Sequence, residues 1–321
     1  MDQPLVSVLM PVYNSEKFLR ESMYSVINQT YENLEILAIN DGSTDGSKEI
    51  LEEFTAHDKR VRIINKKNGG IVSALNKGIA EAKGKYLARI DADDVNFLDR
   101  IEIQVSAIEK NDAAVIVCSS FEVIDDNGVF MYHEIIPSRS DDIKRIILAV
   151  NPICHSSALM RKSTVQKLGG YDENSLHVED YDLWTRMAEM GDIIGISRPL
   201  VRFRVNPDGI TQTQNTTMIE AAEKVRDKYF DQAGFNILAR RDLIEVKQFY
   251  QKTESKYSLA IKKKIYNNTA RSAWNLRLHN RRKDFWKQIL ALASVDRTGF
   301  KIARSSFVYA IKNKLSGNDK G

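Results

Sequence analysis

Two aspartates, Asp91 and Asp93, stand two residues apart at the end of the apolar run Tyr86-Leu87-Ala88-Arg89-Ile90. On an extended backbone, residues spaced i, i+2 share a face, so both carboxylates project together from the end of a buried strand. Like charges that close repel unless a cation joins them. A hard divalent ion held by one or two carboxylates fills the rest of its shell with water and substrate phosphates, which points to Mn²⁺ or Mg²⁺ and a nucleotide-diphosphate ligand. The competing reading is a strand-to-helix turn in which one Asp of Asp91 to Asp94 caps a helix over 98–111. Arg89 adds a further demand, because a cation in an apolar strand needs an anionic partner: a bound donor, an Asp of the motif, or a purely structural ion pair.

The elements that must position these residues can be read from periodicity. Apolar strand-like runs at 5–10, 34–39, 61–64, 86–90 and 113–118 alternate with amphipathic helical patterns at 16–28, 46–56, 71–82 and 98–111. Strands buried on both faces and separated by helices predict an α/β fold with a mostly parallel sheet, whose strand C-termini share one ligand-binding edge. Each chemically loaded segment follows a strand: Pro11-Val12-Tyr13-Asn14 the first, Asn40-Asp41-Gly42-Ser43-Thr44-Asp45-Gly46 the second, Asn68-Gly69-Gly70 the third and the aspartate pair the fourth. Farther on, Asp126-Asn127-Gly128 predicts a hairpin between 123–125 and 129–132. A strand is expected over 155–160, a helix over 181–190, a last strand over 200–205 and helices from about Thr216 onward.

Bulk properties narrow the function classes. The 321 residues carry a net charge of +4, with basic residues concentrated after Asn215 and acidic ones dominating before it. Asn206-Pro207-Asp208-Gly209 breaks regular structure at that boundary, which predicts domains at 1–210 and 211–321. Cys118 and Cys154 are too few for a disulfide scaffold and lack zinc spacing. No apolar run approaches the ~18 to 20 residues of a membrane span, and the N-terminus lacks a signal-peptide pattern, so a cytoplasmic protein is expected. The basic tail carries no nucleic-acid motif, and none is expected to bind.

Together the segments resemble glycosyltransferase family 2, enzymes of the GT-A fold. The resemblance rests on Pro11-Val12-Tyr13-Asn14, the Asn40 to Ser47 run, Asn68-Gly69-Gly70 with Ala74-Leu75-Asn76-Lys77-Gly78, Asp91-Ala92-Asp93-Asp94, and Gly169-Gly170-Tyr171-Asp172 leading to Glu179-Asp180-Tyr181-Asp182-Leu183-Trp184. It covers about residues 5 to 205 and implies a Rossmann-like catalytic domain with a helical C-terminal extension.

The resemblance implies a nucleotide-sugar donor, UDP-sugar by default, and a saccharide or lipid-linked saccharide acceptor in polysaccharide synthesis. Asp41 resembles the nucleobase reader; Pro11, Val12, Tyr13 and Asn14 the nucleoside platform, with core packing as the alternative for Tyr13. Asn68, Arg89, Asp91 and Ala92 join the donor site, Asp93 resembles the direct metal ligand, and Asp91 reaches the ribose or the metal through water. Lys77 lies two turns down its helix and is expected to face solvent.

Asp180 resembles the base that takes the acceptor proton, with Glu179 as runner-up; both also suit a helix N-terminus as first-turn acids. Trp184 is either the floor of an acceptor site or core, and His155 either contacts phosphate or metal or is a satisfied core histidine. A non-catalytic nucleotide-sugar-binding subunit is the alternative for the whole.

Beyond Asn215 the resemblance ends. The basic, apolar-striped segment from Arg297 to Leu315 suits either peripheral contact with an anionic membrane or packing against the catalytic domain or a second subunit of a homo-oligomer.

Overall fold

Strands β1 (Val6–Val12) and β2 (Leu34–Asn40) are apolar nearly end to end and almost wholly buried, as strands covered on both faces must be. They pair in parallel with Val6 opposite Leu34, β3 (Val61–Asn65) continues beside β2, and β4 (Tyr86–Arg89) lies on the other side of β1. The crossovers are α1 (Glu16–Ile27), α2 (Ser47–His57) and α3 (Gly70–Glu81). Parallel pairing sends the C-termini of all four strands to one edge, so the loops that carry Tyr13, Asp41, Asn68 and Asp91 share it. The computed structural model describes residues 3–147 and 151–206, together with residues 221, 222, 224, 225 and 228.

The second half of the sheet is not parallel throughout. Past β4 the order continues through β8 (Leu159–Arg161), β6 (Ala114–Ile124), β9 (Asp192–Arg204) and β5 (Val95–Asn96), with β7 (Phe130–Glu134) on β6. β8 runs antiparallel to both β4 and β6, β5 antiparallel to β9 and β7 antiparallel to β6, while β6 and β9 are parallel. The sheet is therefore mixed: its first half is parallel as expected, and in its second half only the β6–β9 pair is. Helices α4 (Arg100–Glu109), α5 (Ser140–Ile147), α6 (Lys162–Lys167) and α7 (Glu179–Ala188) complete the set. The elements described above belong to one compact unit, Met1–Ile147 with Asn151–Val225.

Several boundaries differ from expectation for identifiable reasons. Where a strand was expected over 155–160, His155–Ser157 form a 3₁₀ turn and the strand begins at Leu159. The turn is closed by the Ser157 amide and hydroxyl, both donating to the Cys154 carbonyl at 2.9 and 2.8 Å. Side chains from α4 then bond backbone carbonyls around this turn: Arg100 donates to the Arg89 and Ala158 carbonyls, and Gln104 to those of Val117 and Ser157. The last strand spans 192–204 rather than 200–205, because its first half is bent by register shifts against β6 that break its alternation. Asp91 to Asp94 do not cap α4. The chain passes through β5 first, and Asp99 precedes the helix. The tail expectations, including the 211–321 domain and the Arg297 to Leu315 helix, lie outside the described residues.

β9 packs so closely on the segment before α5 that a side chain at Gly195 would meet the Pro137 carbonyl. Because the obstacle is backbone, Gly195→Ala is expected to destabilise the protein by about 2 kcal/mol or more. A urea midpoint equal to wild type would show that this contact can yield.

Candidate functional site

The crevice is assembled from the loops after β1 to β4 and from the start of α7. The first two loops are laced together: the Asn14 amide donates to Ser43 Oγ at 3.1 Å, Thr44 N–H to Asn14 Oδ1 at 2.8 Å, and Ser15 N–H to Ser47 Oγ at 2.8 Å. Asn14 holds φ 47°, a left-handed conformation that Asn tolerates. This pinning leaves Tyr13 51% exposed, so its ring lies outside the core. Val12, by contrast, has its side chain fully buried and reaches the site only through its carbonyl, which accepts from Asp41 N–H at 2.8 Å. Pro11 is half-buried, Asn68 is exposed and Ala92 is buried.

Asp41 sits at the floor. Its Oδ1 accepts from Gly69 N–H at 3.0 Å and from Lys66 Nζ, and its Oδ2 accepts from Gly70 N–H at 2.8 Å. Gly70 adopts φ +81°, which lets both amides turn toward the carboxylate at the start of α3. Lys77 pairs with Glu81 at 2.9 Å on the exposed side of that helix, away from the crevice.

The aspartate motif is organised by Arg89, whose side chain is 1% exposed. Its two terminal nitrogens each donate to one oxygen of Asp91, and one of them also reaches Ser156 Oγ at 2.9 Å. Of the three partners considered from sequence, the Asp of the motif is the one the guanidinium has. Burial alone would strip the proton from Arg89, but the charge and hydrogen bonds of Asp91 outweigh it and raise its proton affinity. Ser156 Oγ also accepts the Asp91 amide at 3.0 Å, fixing the loop from the far side.

Carboxylate oxygens of Asp91, Asp93 and Asp94 lie within 4.8 Å of one another. Burial, then the charge of Asp91, pushes the Asp93 carboxyl up to about 6, and burial with both neighbours pushes Asp94 well above the usual carboxylate range. Asp94 accepts the Arg204 amide on Oδ1 at 2.8 Å and leaves its buried Oδ2 without a hydrogen-bond partner. Hard oxygen donors, crowded charge and an orphaned oxygen are the environment a divalent cation relieves, so the residues fit Mn²⁺ or Mg²⁺. Both oxygens of Asp91 are already taken by Arg89.

Across the crevice, α7 starts two residues before its expected position and carries Glu179 and Asp180 in its first turn. Asp180 accepts from Asn151 Nδ2 at 2.8 Å and from the Tyr181 amide at 2.6 Å. Glu179 is buried, its Oε2 has no hydrogen-bond partner, and burial followed by the Asp180 charge drives its carboxyl to about 7. Asp180 is also raised, chiefly by burial. Arg89 and Asp91 act on both groups, which puts the α7 acids and the β4 loop within one field.

Residues 7–169 match the family described as glycosyl transferase family 2. An uncharacterized glycosyltransferase of Haemophilus influenzae is 36% identical over 249 residues, 73% of this chain and 77% of the relative. The chain belongs to glycosyl transferase family 2. A Rickettsia prowazekii protein, also named an uncharacterized glycosyltransferase, is 32% identical over 270 residues and covers 82% of this chain and 81% of its own length. The fold matches the crystal structure of S. aureus TarS 1-349 in complex with UDP-GlcNAc, with TM-score 0.61 at 15% identity, covering 97% of this chain and 92% of that one. The protein is thus a family 2 glycosyltransferase with a GT-A α/β fold.

In this glycosyltransferase two residues singled out from sequence pack against each other. Trp184 is wholly buried and meets the His155 ring edge-on at 5.6 Å, and His155 Nε2 lies 2.7 Å from the Tyr171 hydroxyl. Of the alternatives for these two, packing is what the geometry holds. Burial, then the Arg89 charge, depresses the His155 proton affinity. Sequence reasoning passed over Asp94 as a ligand, Ser156, Asn151, Lys66 and Arg204. Arg204 donates from Nε to the Asp93 carbonyl at 2.9 Å and bonds Glu21, tying the motif to α1. Only Asp94 carried a signal, its adjacency to the pair; the others are distant in sequence.

Replacing Arg89 leaves crowded carboxylates without their cation, a loss of about 3 kcal/mol by analogy with other broken buried pairs. Carboxyls with raised folded pKa values favour folding when protonated and oppose it as pH climbs through those values. The destabilisation of Arg89→Met is therefore expected to be large at pH 7.5 and smaller at pH 5, read from denaturation midpoints; a penalty that grows as pH falls would contradict it.

Proposed function

We propose that this glycosyltransferase is metal-dependent and inverting, and moves a sugar from a nucleotide-diphosphate donor to a hydroxyl of a saccharide or lipid-linked saccharide. The reading is supported by one observation: acids from two separate elements, the β4 loop and α7, lie within the electrostatic reach of a single buried arginine. A glycosyl transfer needs this division, with leaving-group stabilisation on one side and a proton acceptor on the other.

Asp93 and Asp94 would hold Mn²⁺ or Mg²⁺, and Asp91, whose oxygens both accept from Arg89, would add its charge beside them. Such an ion supplies charge neutralisation for a departing diphosphate. Tyr13 and Pro11 offer the nucleoside an exposed platform, and Asp41 reads its base. Asp180 takes the acceptor hydroxyl proton. Asn151 and the Tyr181 amide orient its carboxylate, while burial keeps it basic enough to accept that proton. Glu179, immediately adjacent, keeps the pair's total charge down by retaining a proton near neutral pH.

The TarS complex contains UDP-GlcNAc, which supports a UDP-sugar as donor. Cell-surface polysaccharide is the product class in this reading, with the enzyme working in the cytoplasm at the inner membrane face through its basic C-terminal region. No helix among the described residues is long and apolar enough to cross a membrane.

Donor hydrolysis or transfer with Mn²⁺ is expected to drop about 10²-fold or more in Asp93→Ala and in Asp180→Asn; wild-type turnover in both would end the proposal. The base must be ionised, so kcat/KM should rise with pH through the ionisation of Asp180, displaced above the ordinary aspartate range by burial. Glu179→Gln fixes the neutral form that Glu179 already holds there and should leave that limb in place. A limb displaced to lower pH would show that Glu179 is ionised alongside the proton acceptor and would contradict this division of roles.

A further inference from the structure

Asp41 is the proposed reader of the nucleobase, yet most of its hydrogen-bonding capacity is already spent. A carboxylate offers about four lone-pair positions, two on each oxygen. Oδ1 takes Gly69 N–H at 3.0 Å and the Lys66 ammonium, and Oδ2 takes Gly70 N–H at 2.8 Å. One acceptor position remains, on Oδ2. Lys66 also donates to the Lys67 carbonyl at 2.8 Å, which leaves one of its three N–H bonds uncommitted. Its side chain is 18% exposed and that of Asp41 5%, so both are anchored and each keeps one uncommitted position.

We propose that Lys66 is the positioning residue that sets base selectivity, by saturating Asp41 Oδ1 so that the carboxylate can receive a single N–H from a ligand. The pair then presents one acceptor beside one cationic donor. This fits the imide edge of uracil or thymine, whose lone N–H lies between carbonyls. Guanine is disfavoured, because its N1–H and exocyclic amine together need both carboxylate oxygens. Cytosine is disfavoured more simply, since its ring nitrogen on that edge is itself an acceptor and faces a carboxylate. A site with a fixed polar pattern rejects the mismatched partner because a buried group is left unpaired. The inference rests on the reading of this crevice as a nucleoside-diphosphate site.

The test is titration calorimetry of UDP, GDP and CDP, each with Mn²⁺, into the full chain and into Lys66→Met and Lys66→Arg. Wild type is expected to bind UDP more tightly than GDP or CDP. Lys66→Met frees a position on Oδ1, so GDP affinity should rise and the UDP-to-GDP preference should fall by about tenfold, the worth of one charge-assisted hydrogen bond. A gain of GDP binding is something a misfolded variant cannot show. Lys66→Arg, which can still donate to Oδ1, should restore the preference. An unchanged UDP-to-GDP ratio in Lys66→Met overturns the role of Lys66 while leaving the donor site standing. If wild type binds none of the three nucleotides, the donor-site reading itself fails.

Discussion

A guanidinium buried at the end of β4 governs this protein. Arg89 cannot reach water, so it must find its counter-charge inside, and it finds it two residues on in Asp91. That pairing draws the whole acidic loop back over the strand end. It also explains why three carboxylates can crowd within 4.8 Å in a folded chain. One cation neutralises part of the charge, and raised proton affinities at Asp93 and Asp94 absorb more. What stays unsatisfied is the kind of deficit a divalent ion fills.

The same charge reaches across the crevice. Glu179 and Asp180 feel Arg89 and Asp91 while sitting on a helix that begins nearly ninety residues later in the chain. Ser156 couples the two sides through the backbone, since its hydroxyl holds both the guanidinium and the Asp91 amide, and the neighbouring His155 packs on Trp184 of α7. Ligand chemistry on the acidic loop and proton chemistry on α7 therefore share one electrostatic environment. Buried polar networks of this kind are rigid when satisfied and costly when one member is removed.

The rest of the fold serves to hold this arrangement in place. Arg100 and Gln104 bond backbone carbonyls where the sheet changes direction, and Arg204 at the end of β9 bonds the Asp93 carbonyl while its amide bonds Asp94. These side chains do no chemistry in the proposed mechanism. They tie the loop backbone to α4 and β9.

Local pattern was enough for the first half of the protein. The parallel strands, their crossover helices and the common edge of Tyr13, Asp41, Asn68 and Asp91 follow from apolar period and turn residues, because each unit is built from neighbours in the chain. The strands that β8 pairs with, the bent first half of β9 and the partners Ser156, Lys66, Asn151 and Arg204 were not legible that way. They are joined by contacts 25 to 111 positions apart, and no local pattern encodes them. The residue types that can hold an ion or accept a proton were thus determined by sequence alone. Which carboxylate oxygens stay free, and which are consumed by Arg89, Lys66 and the glycine amides, was decided only when the tertiary structure enclosed them.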